Sequence, residues 1–288
     1  MKDLNWKKIA DQSNLTEGPT WTSEGLLYSQ CAESITWIYN PRDGSNIIWR
    51  KNTGGSNGML LDLNGKLYAC EGEGRRLVSY QSGKDTEVVA TEFEGKKFNE
   101  PNDLAIFPDG KKIWFSDPNY GGRPLSIEHE SVYLVSNEGS SWKVKRATFD
   151  TDRPNGVLLS KDSARLYVAN SPHNFDNPDI RRELRSYKIN DDFNLGPYEV
   201  LHDFGPHRGI DGMTLDSEGN IVATAGFEAS GPGPMIYHFD PEGRVIQTFE
   251  APENAPTNCT FGGDERDVLY VTFATGAVYA LEGSGLKG

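Results

Sequence analysis

A pattern of short apolar runs recurs six times along the chain, and this repeat constrains the fold more than any other feature of the sequence. In each copy, a polar residue that is usually followed by Gly precedes an apolar run, a polar turn and a second apolar run. Asn-Gly or Asp-Gly between short apolar runs favours a β-hairpin, because primed turns require positive φ. The six copies begin at Glu17, Asn57, Asn102, Asn155, Asp211 and Asn258.

The spacing of the six hairpins leaves room for two further strands in each copy. Apolar segments that fit these strands follow the hairpins, for example Ile35–Tyr39 and Val132–Val135. Repeats of about 45 residues with four short strands are typical of β-propellers. No stretch of about ten residues has the periodicity of an amphipathic helix. The sequence therefore predicts an all-β fold, a six-bladed β-propeller with four antiparallel strands per blade.

The sixth copy contains only three strands, which bears on how the ring closes. We expect Trp6–Ala10, near the N-terminus, to supply the missing outer strand. This arrangement predicts a single propeller domain over residues 1–282 and a flexible C-terminal tail over residues 283–288.

The charge of the chain excludes several classes of partner. With 29 Lys and Arg against 42 Asp and Glu, the net charge is −13. This balance argues against nucleic-acid and anionic-membrane partners, because both require clustered basic residues. No run approaches the ~18 apolar residues of a membrane span, and no apolar signal segment is visible at the start. We expect a cytoplasmic protein, monomeric or weakly homo-oligomeric, although removal of an export signal would leave the same sequence.

The first residue of each repeat is expected near the axis of the propeller. The innermost strand of a blade lines the central channel, and its beginning lies near one mouth. All six first residues carry side-chain oxygens, and Ca²⁺ takes six to eight oxygen ligands from Asp, Glu, Asn and water. The pattern therefore favours a site for a hard cation. The alternative is that Asn and Asp precede Gly only because both tolerate turn conformations.

Several segments, taken together, resemble the SMP-30/gluconolactonase/luciferin-regenerating family, and in particular its bacterial gluconolactonases. They cover about residues 15 to 280 in the order and spacing of that family. The segments are Glu17-Gly18-Pro19, Ala69-Cys70-Glu71 with Arg75-Arg76, Pro101-Asn102-Asp103-Leu104, Ser116-Asp117-Pro118-Asn119-Tyr120-Gly121, Pro154-Asn155-Gly156-Val157, Asp211-Gly212-Met213, and Thr257-Asn258-Cys259 with Phe261-Gly262-Gly263. The resemblance implies a six-bladed propeller with one divalent cation on its axis, most often Ca²⁺, although Mg²⁺, Mn²⁺ and Zn²⁺ are also accepted.

The resemblance also implies roles for individual residues. The family's metal ligands correspond to Glu17, Asn102, Asn155 and Asp211. Asn57 and Asn258 would line the channel. Some members carry an Arg two residues before the blade-three Asn to hold a sugar hydroxyl, whereas this chain has Glu100. The candidates for contact with the substrate are Asn102, Glu100, Asp117, Tyr120, His173 and His207.

The ligand set indicates the chemistry. A divalent cation held by two carboxylates and two amides would polarise a lactone carbonyl and stabilise the tetrahedral oxyanion. Asp211 is the family's candidate for the catalytic base that activates water. We therefore predict a divalent-metal-dependent hydrolase of small-molecule lactones. The alternatives are a phosphotriesterase on the same metal site and a non-catalytic binding propeller with a structural ion.

Overall fold

Each repeat folds into one four-stranded antiparallel sheet, and the six sheets form the blades of a propeller. A computed structural model describes residues 4–80, 86–139, 141–173 and 177–288. The strands of the sixth, first and second blades are β1 (Asn5–Asp11, sixth blade), β2 (Thr16–Thr22), β3 (Gly25–Gln30), β4 (Ile35–Tyr39), β5 (Asn46–Lys51), β6 (Ser56–Leu61), β7 (Leu67–Glu71), β8 (Arg76–Tyr80) and β9 (Thr86–Ala90). A short hairpin, β10 (Glu92–Phe93) and β11 (Lys96–Lys97), leads to the third blade. The predicted fold is confirmed.

Blades three to six follow the same order, with the innermost strand first, and β1 completes the sixth. Their strands are β12 (Leu104–Ile106), β13 (Lys112–Asp117), β14 (Ser131–Asn137), β15 (Trp142–Arg146), β16 (Pro154–Leu159), β17 (Arg165–Asn170), β18 (Glu183–Ile189), β19 (Leu195–Asp203), β20 (Ile210–Leu215), β21 (Ile221–Phe227), β22 (Ser230–Phe239), β23 (Val245–Glu250), β24 (Pro256–Gly262), β25 (Val268–Phe273) and β26 (Ala277–Glu282). The described residues include one short 3₁₀ helix, Cys31–Glu33, and among them no helix has the length and apolar character needed to cross a membrane.

The N-terminal strand closes the ring, as the sequence predicts. The sixth sheet has the order β1-β26-β25-β24, so β1 is its outermost strand. It pairs antiparallel with β26, and Asn5 lies opposite Glu282. The Trp6 ring packs edge-on against Tyr279, with 6.3 Å between ring centroids. The first and last strands of the described chain are thus held together in a single sheet.

The apolar core is divided among the interfaces between blades. Six clusters of buried side chains occur in the described part of the chain, one between each pair of neighbouring blades. Trp114, for example, is fully buried between blades three and four. The ring of Trp21 in blade one stacks on Tyr270 of blade six at 5.5 Å. The blades are therefore rigidly packed around the axis, which fixes what they present there.

The inner hairpins share an irregularity at the first residue of each repeat. In five of them the ladder register shifts at this point, for example between Glu17 and Thr20 and between Ile210 and Met213. In the third blade, β12 begins only after Asn102. A bulge of this kind releases a residue from the ladder and re-aims its side chain. The local structure therefore directs these polar residues toward the axis.

The Gly that follows the first residue is required by the neighbouring blade. A Cβ on Gly156 would lie 2.5 Å from the carbonyl oxygen of Asp211, and one on Gly212 would lie 2.1 Å from Cγ of Asn258. In the third blade Asp103 takes this place, and its carboxylate accepts a hydrogen bond from the Val157 amide of the next blade at 3.1 Å. Close packing at the axis thus accounts for the Gly in the repeat.

Replacing Gly212 with Ala is therefore expected to destabilise the protein. The added methyl group would overpack the axis and cost about 1–3 kcal/mol, which corresponds to a fall in Tm of about 2–4 °C for each kcal/mol. Gly196→Ala on β19 is the matched control, because its Cβ would lie 3.7 Å from the Lys188 carbonyl, an ordinary contact. Calorimetry of the two variants tests this, and equal melting temperatures would contradict it.

The C-terminal residues differ from the flexible tail expected over residues 283–288. Leu286 is 7% exposed and packs in the apolar cluster between blades five and six. The Ser217 amide donates to the carbonyl of Lys287 at 2.7 Å, and the Gly288 amide donates to the carbonyl of Arg266 at 2.8 Å. The buried side chain of Leu286 and two backbone hydrogen bonds hold this segment against the last two blades.

Candidate functional site

A cavity of about 470 Å³ lies where the inner strands begin, at one mouth of the central channel. Seven of the predicted site residues line it: Glu17, Asn57, Glu100, Asn102, Tyr120, Asn155 and Asp211. Asn258 instead lines a second cavity of about 280 Å³ further along the channel, and its Oδ1 accepts the Cys259 amide at 2.8 Å. Five of the six first residues therefore converge on one cavity.

Three of the four predicted ligands form a continuous chain of hydrogen bonds. Nδ2 of Asn102 donates to Oδ1 of Asn155 at 2.5 Å, and Nδ2 of Asn155 donates to Oδ1 of Asp211 at 2.6 Å. These residues come from blades three, four and five. The fourth, Glu17 of blade one, is 4% exposed, and its Oε2 accepts the Gly18 amide at 2.9 Å.

One buried oxygen in this chain lacks a donor. Oδ1 of Asn102 has no hydrogen-bond partner among the described residues, although the side chain is 2% exposed. Buried polar atoms are normally satisfied, so an orphaned acceptor requires an explanation. A cation bound by this oxygen would supply it. The donor set fits a hard ion, because it consists of carboxylate and amide oxygens.

The charges at the site also fit a cation. Burial raises the pKa of Glu17 well above its usual value, and the nearby Asp211 carboxylate raises it further. Burial likewise raises the pKa of Asp211, against the opposing effect of Arg208. Two buried carboxylates are costly without compensating positive charge. The described residues contain no cluster of three or more His, Cys, Asp and Glu suited to a metal, because half of the predicted ligands here are amides.

Arg208 is a site residue that the sequence analysis missed. Its Nη2 donates to Oδ2 of Asp211 at 2.5 Å, and its Nη1 donates to the carbonyls of Gly226 and Pro256 at 2.9 and 3.0 Å. Arg208 therefore fixes one carboxylate oxygen of Asp211, while Asn155 donates to the other. The available signal was its position three residues before Asp211, in the segment that leads into β20.

Glu100 and Tyr120 belong to one side of the cavity wall. The Tyr120 hydroxyl accepts from Nδ2 of Asn102 at 2.8 Å. Oε2 of Glu100 accepts the Tyr120 amide at 2.8 Å, and Oε1 lies 3.4 Å from Nε of Arg123. Glu100 thus holds the loop that carries Tyr120 and Arg123. This chain therefore has a guanidinium in the cavity, although it comes from a loop rather than from the position two residues before Asn102.

Three of the predicted substrate contacts lie outside the lining of this cavity. Asp117 is fully buried and accepts the amides of Asn99 and Glu100, both at 2.9 Å, so it braces the backbone; burial raises its pKa to about 8. His207 bonds Oγ of Ser230 at 2.7 Å. His173 lies 2.7 Å from Nη1 of the lining residue Arg153 and so acts behind the wall. All three side chains are held by hydrogen bonds to protein groups outside the cavity or behind its wall.

Comparison with known proteins identifies a family that covers most of the chain. The model of the SMP-30/gluconolactonase/LRE-like region matches residues 15–275. A gluconolactonase from Zymomonas mobilis is 28% identical over 297 residues, covering 92% of this chain and 77% of the relative.

Two solved structures agree with the fold. A gluconolactonase from Xanthomonas campestris has a TM-score of 0.83 at 24% identity, covering 98% of this chain and 90% of that one. A calcium-binding protein, regucalcin, from Agrobacterium tumefaciens has a TM-score of 0.78 at 20% identity, covering 99% and 95%. At these identities the likeness establishes the propeller architecture.

Proposed function

Since the chain belongs to the SMP-30/gluconolactonase/LRE-like family, we propose that it hydrolyses lactones and that Glu17, Asn102, Asn155 and Asp211 hold a divalent cation for this purpose. The observation that carries the proposal is the orphaned Oδ1 of Asn102 in a cavity shared with two buried carboxylates. The Zymomonas mobilis relative, named a gluconolactonase, supports the reaction class.

Ca²⁺ is the ion that this donor set favours. All four side chains offer oxygen, the donor that Ca²⁺ prefers, whereas Zn²⁺ is more often held by nitrogen and sulfur. Mg²⁺ usually keeps several waters and takes few protein ligands. The name of the Agrobacterium tumefaciens protein, a calcium-binding protein, supports the same choice. Mg²⁺ and Mn²⁺ remain the competitors to be tested.

The chemistry divides between the ion and the chain. The ion, when bound, would act as a Lewis acid toward the lactone carbonyl. Asp211 is proposed as the base: it takes a proton from water as the water oxygen bonds to the carbonyl carbon. The ring C–O bond then breaks, and the proton passes to the departing ring oxygen. Arg208 holds the Asp211 carboxylate in a fixed orientation for this transfer.

Removal of the cation is expected to abolish hydrolysis. A Lewis acid supplies several kcal/mol of transition-state stabilisation, so exhaustive treatment with EDTA should lower kcat/KM by at least about 100-fold. Proton release from γ- and δ-lactones measures the rate, and added Ca²⁺ should restore it. Far-UV circular dichroism of the metal-free protein controls for unfolding.

The same assay distinguishes the alternatives. Full activity after chelation would refute the metal dependence and leave the lactonase activity in place. A protein that binds Ca²⁺ but hydrolyses no lactone in the panel would contradict the proposed function and favour a binding propeller with a structural ion.

A further inference from the structure

The axial cavity has a different charge balance from the rest of the protein. The chain carries a net charge of −13, yet equal numbers of arginines and acids line this cavity. The arginines are Arg123, Arg153, Arg182 and Arg208, and the acids are Glu17, Glu73, Glu100 and Asp211. A divalent cation at Glu17 and Asp211 would therefore give the lining residues a net charge of +2.

Two of these arginines form ion pairs with acids of the same wall. Arg208 pairs with Asp211 at 2.5 Å, and Arg123 pairs with Glu100 at 3.4 Å. No carboxylate of the described residues lies within 4.0 Å of the Arg153 guanidinium. Nε of Arg153 is buried and has no acceptor in the described part of the chain. Arg153 is thus a cavity-lining cation with no carboxylate in direct contact, although its charge partly offsets the rise that burial causes in the pKa of Asp211 and of Glu130.

Arg153 is held firmly in this position. Its backbone has a φ of +49°, in the left-handed region that non-Gly residues rarely adopt. The guanidinium lies over the ring of Tyr120, 4.8 Å from the centroid. His173 fixes the far side, because its Nδ1 lies 2.7 Å from Nη1 of Arg153 and its Nε2 lies 2.8 Å from the carbonyl of Asn119. Backbone strain that the surroundings maintain is typical of functional sites.

A second guanidinium strengthens the positive potential of this wall. Arg182 lines the same cavity, is 1% exposed, and donates from Nη1 to the carbonyl of Pro206 at 2.5 Å. Burial and the like charge of Arg153 lower the pKa of Arg182, and the Asp152 carboxylate partly opposes them. Two neighbouring cations repel each other, and an anion bound beside them would relieve that repulsion.

We propose that Arg153, stacked on Tyr120 and assisted by Arg182, binds a carboxylate of the substrate, so that the preferred lactones carry a carboxylate in addition to the ring. With Nη1 directed to His173, the Nε and Nη2 edge of Arg153 presents the planar fork that a carboxylate accepts bidentately. The Tyr120 hydroxyl also accepts a hydrogen bond from Asn102. Only the Tyr120 side chain therefore separates this subsite from a proposed metal ligand. The inference rests on the proposed function.

Two lactones that differ at one group test the proposal. Galactaro-1,4-lactone and galactono-1,4-lactone share a ring, and the first has a carboxylate where the second has a primary alcohol. For the Ca²⁺-loaded protein, kcat/KM is expected to be about 10- to 100-fold higher for the acidic lactone, as for a charge-assisted pair. The difference should appear mainly in KM and should shrink as NaCl is raised.

Variants of Arg153 locate the effect. In Arg153→Gln the ratio of the two kcat/KM values should fall toward one, and Arg153→Lys should recover part of it because the charge is kept. Arg181→Gln removes the same charge from a side chain that is 48% exposed and pairs with Asp203, and it should leave the ratio unchanged. Equal kcat/KM values in the wild type, or equal losses for both lactones in Arg153→Gln, would overturn the proposal.

Calorimetry with the open-chain acids gives a readout that does not depend on turnover. Galactarate, with two carboxylates, should bind at least about tenfold more tightly than galactonate, and Arg153→Gln should remove the difference. If neither lactone is hydrolysed but galactarate shows this preference, the subsite stands and the proposed lactonase function fails. If the two acids bind equally in the wild type, the subsite is refuted whatever the lactonase activity.

Discussion

Asp211→Asn is expected to lower kcat by about 10²–10⁴-fold even when the variant is saturated with Ca²⁺, as is typical for the loss of a general base. Asn keeps one side-chain oxygen for the ion, and this oxygen can still accept a hydrogen bond from Asn155 or from Arg208, although not from both. An effect on metal binding alone would disappear at saturating ion concentrations, whereas loss of the proton acceptor would persist. A metal titration of kcat therefore separates the two roles of Asp211.

The control for this variant is a carboxylate far from the axis. Asp264→Asn makes the same change at a side chain that is 91% exposed, and it should leave kcat unchanged. Recovery of Asp211→Asn to nearly the wild-type rate at saturating Ca²⁺ would reject the general-base role and leave Asp211 as a ligand only.

Glu17→Gln is expected to weaken binding of the divalent ion by about 3–5 kcal/mol, or roughly 10²- to 10⁴-fold in Kd, because it removes one of two buried charges opposite the cation. Titration calorimetry with Ca²⁺ measures the change. Since burial raises the pKa of Glu17, the ionised carboxylate is disfavoured in the metal-free fold. The metal-free variant should therefore melt at or above the wild-type temperature.

Glu73→Gln provides the matched control for metal affinity. Glu73 lines the same cavity, but its side chain is 75% exposed and lies 4.0 Å from Arg123. Loss of this charge should change the Kd for Ca²⁺ by less than about threefold, because solvent screens it. Equal Kd values for Glu17→Gln and the wild type would remove Glu17 from the site.

The repeat predicted the architecture because its recurring residues are the ones that packing between neighbouring blades requires. The Gly after the first residue is needed where the next blade approaches, as at Gly156 and Gly212, and the turn after each inner strand fixes the hairpin. These are local constraints that six copies make visible. The convergence of Asn102, Asn155 and Asp211 follows from the same periodicity, since equivalent positions of successive blades meet near the axis.

The remainder of the cavity wall follows no such periodicity. Arg208 and Arg153 precede first residues of the repeat by three and two positions, but their guanidinium groups are placed by carbonyls and rings from other segments. Asp117 and His173 are residue types suited to catalysis. However, Asp117 accepts hydrogen bonds from backbone amides, and His173 is hydrogen-bonded to Arg153. Loop conformation and long-range hydrogen bonds decide such roles, and a single sequence does not encode them in a readable pattern.

The pairing of β1 with β26 has a consequence for how the molecule is made. The segment Asn5–Asp11 is translated before every other strand of the propeller, and its partner Ala277–Glu282 is translated after all of them. Until Ala277–Glu282 has been translated, the early segment has no strand to join, and the sixth sheet cannot be completed. Closing so long a loop is entropically costly, and contacts distant in sequence form slowly. The first five blades can assemble while the chain is being translated, whereas ring closure must wait for β26. During that interval the nascent chain presents an open strand edge to its neighbours.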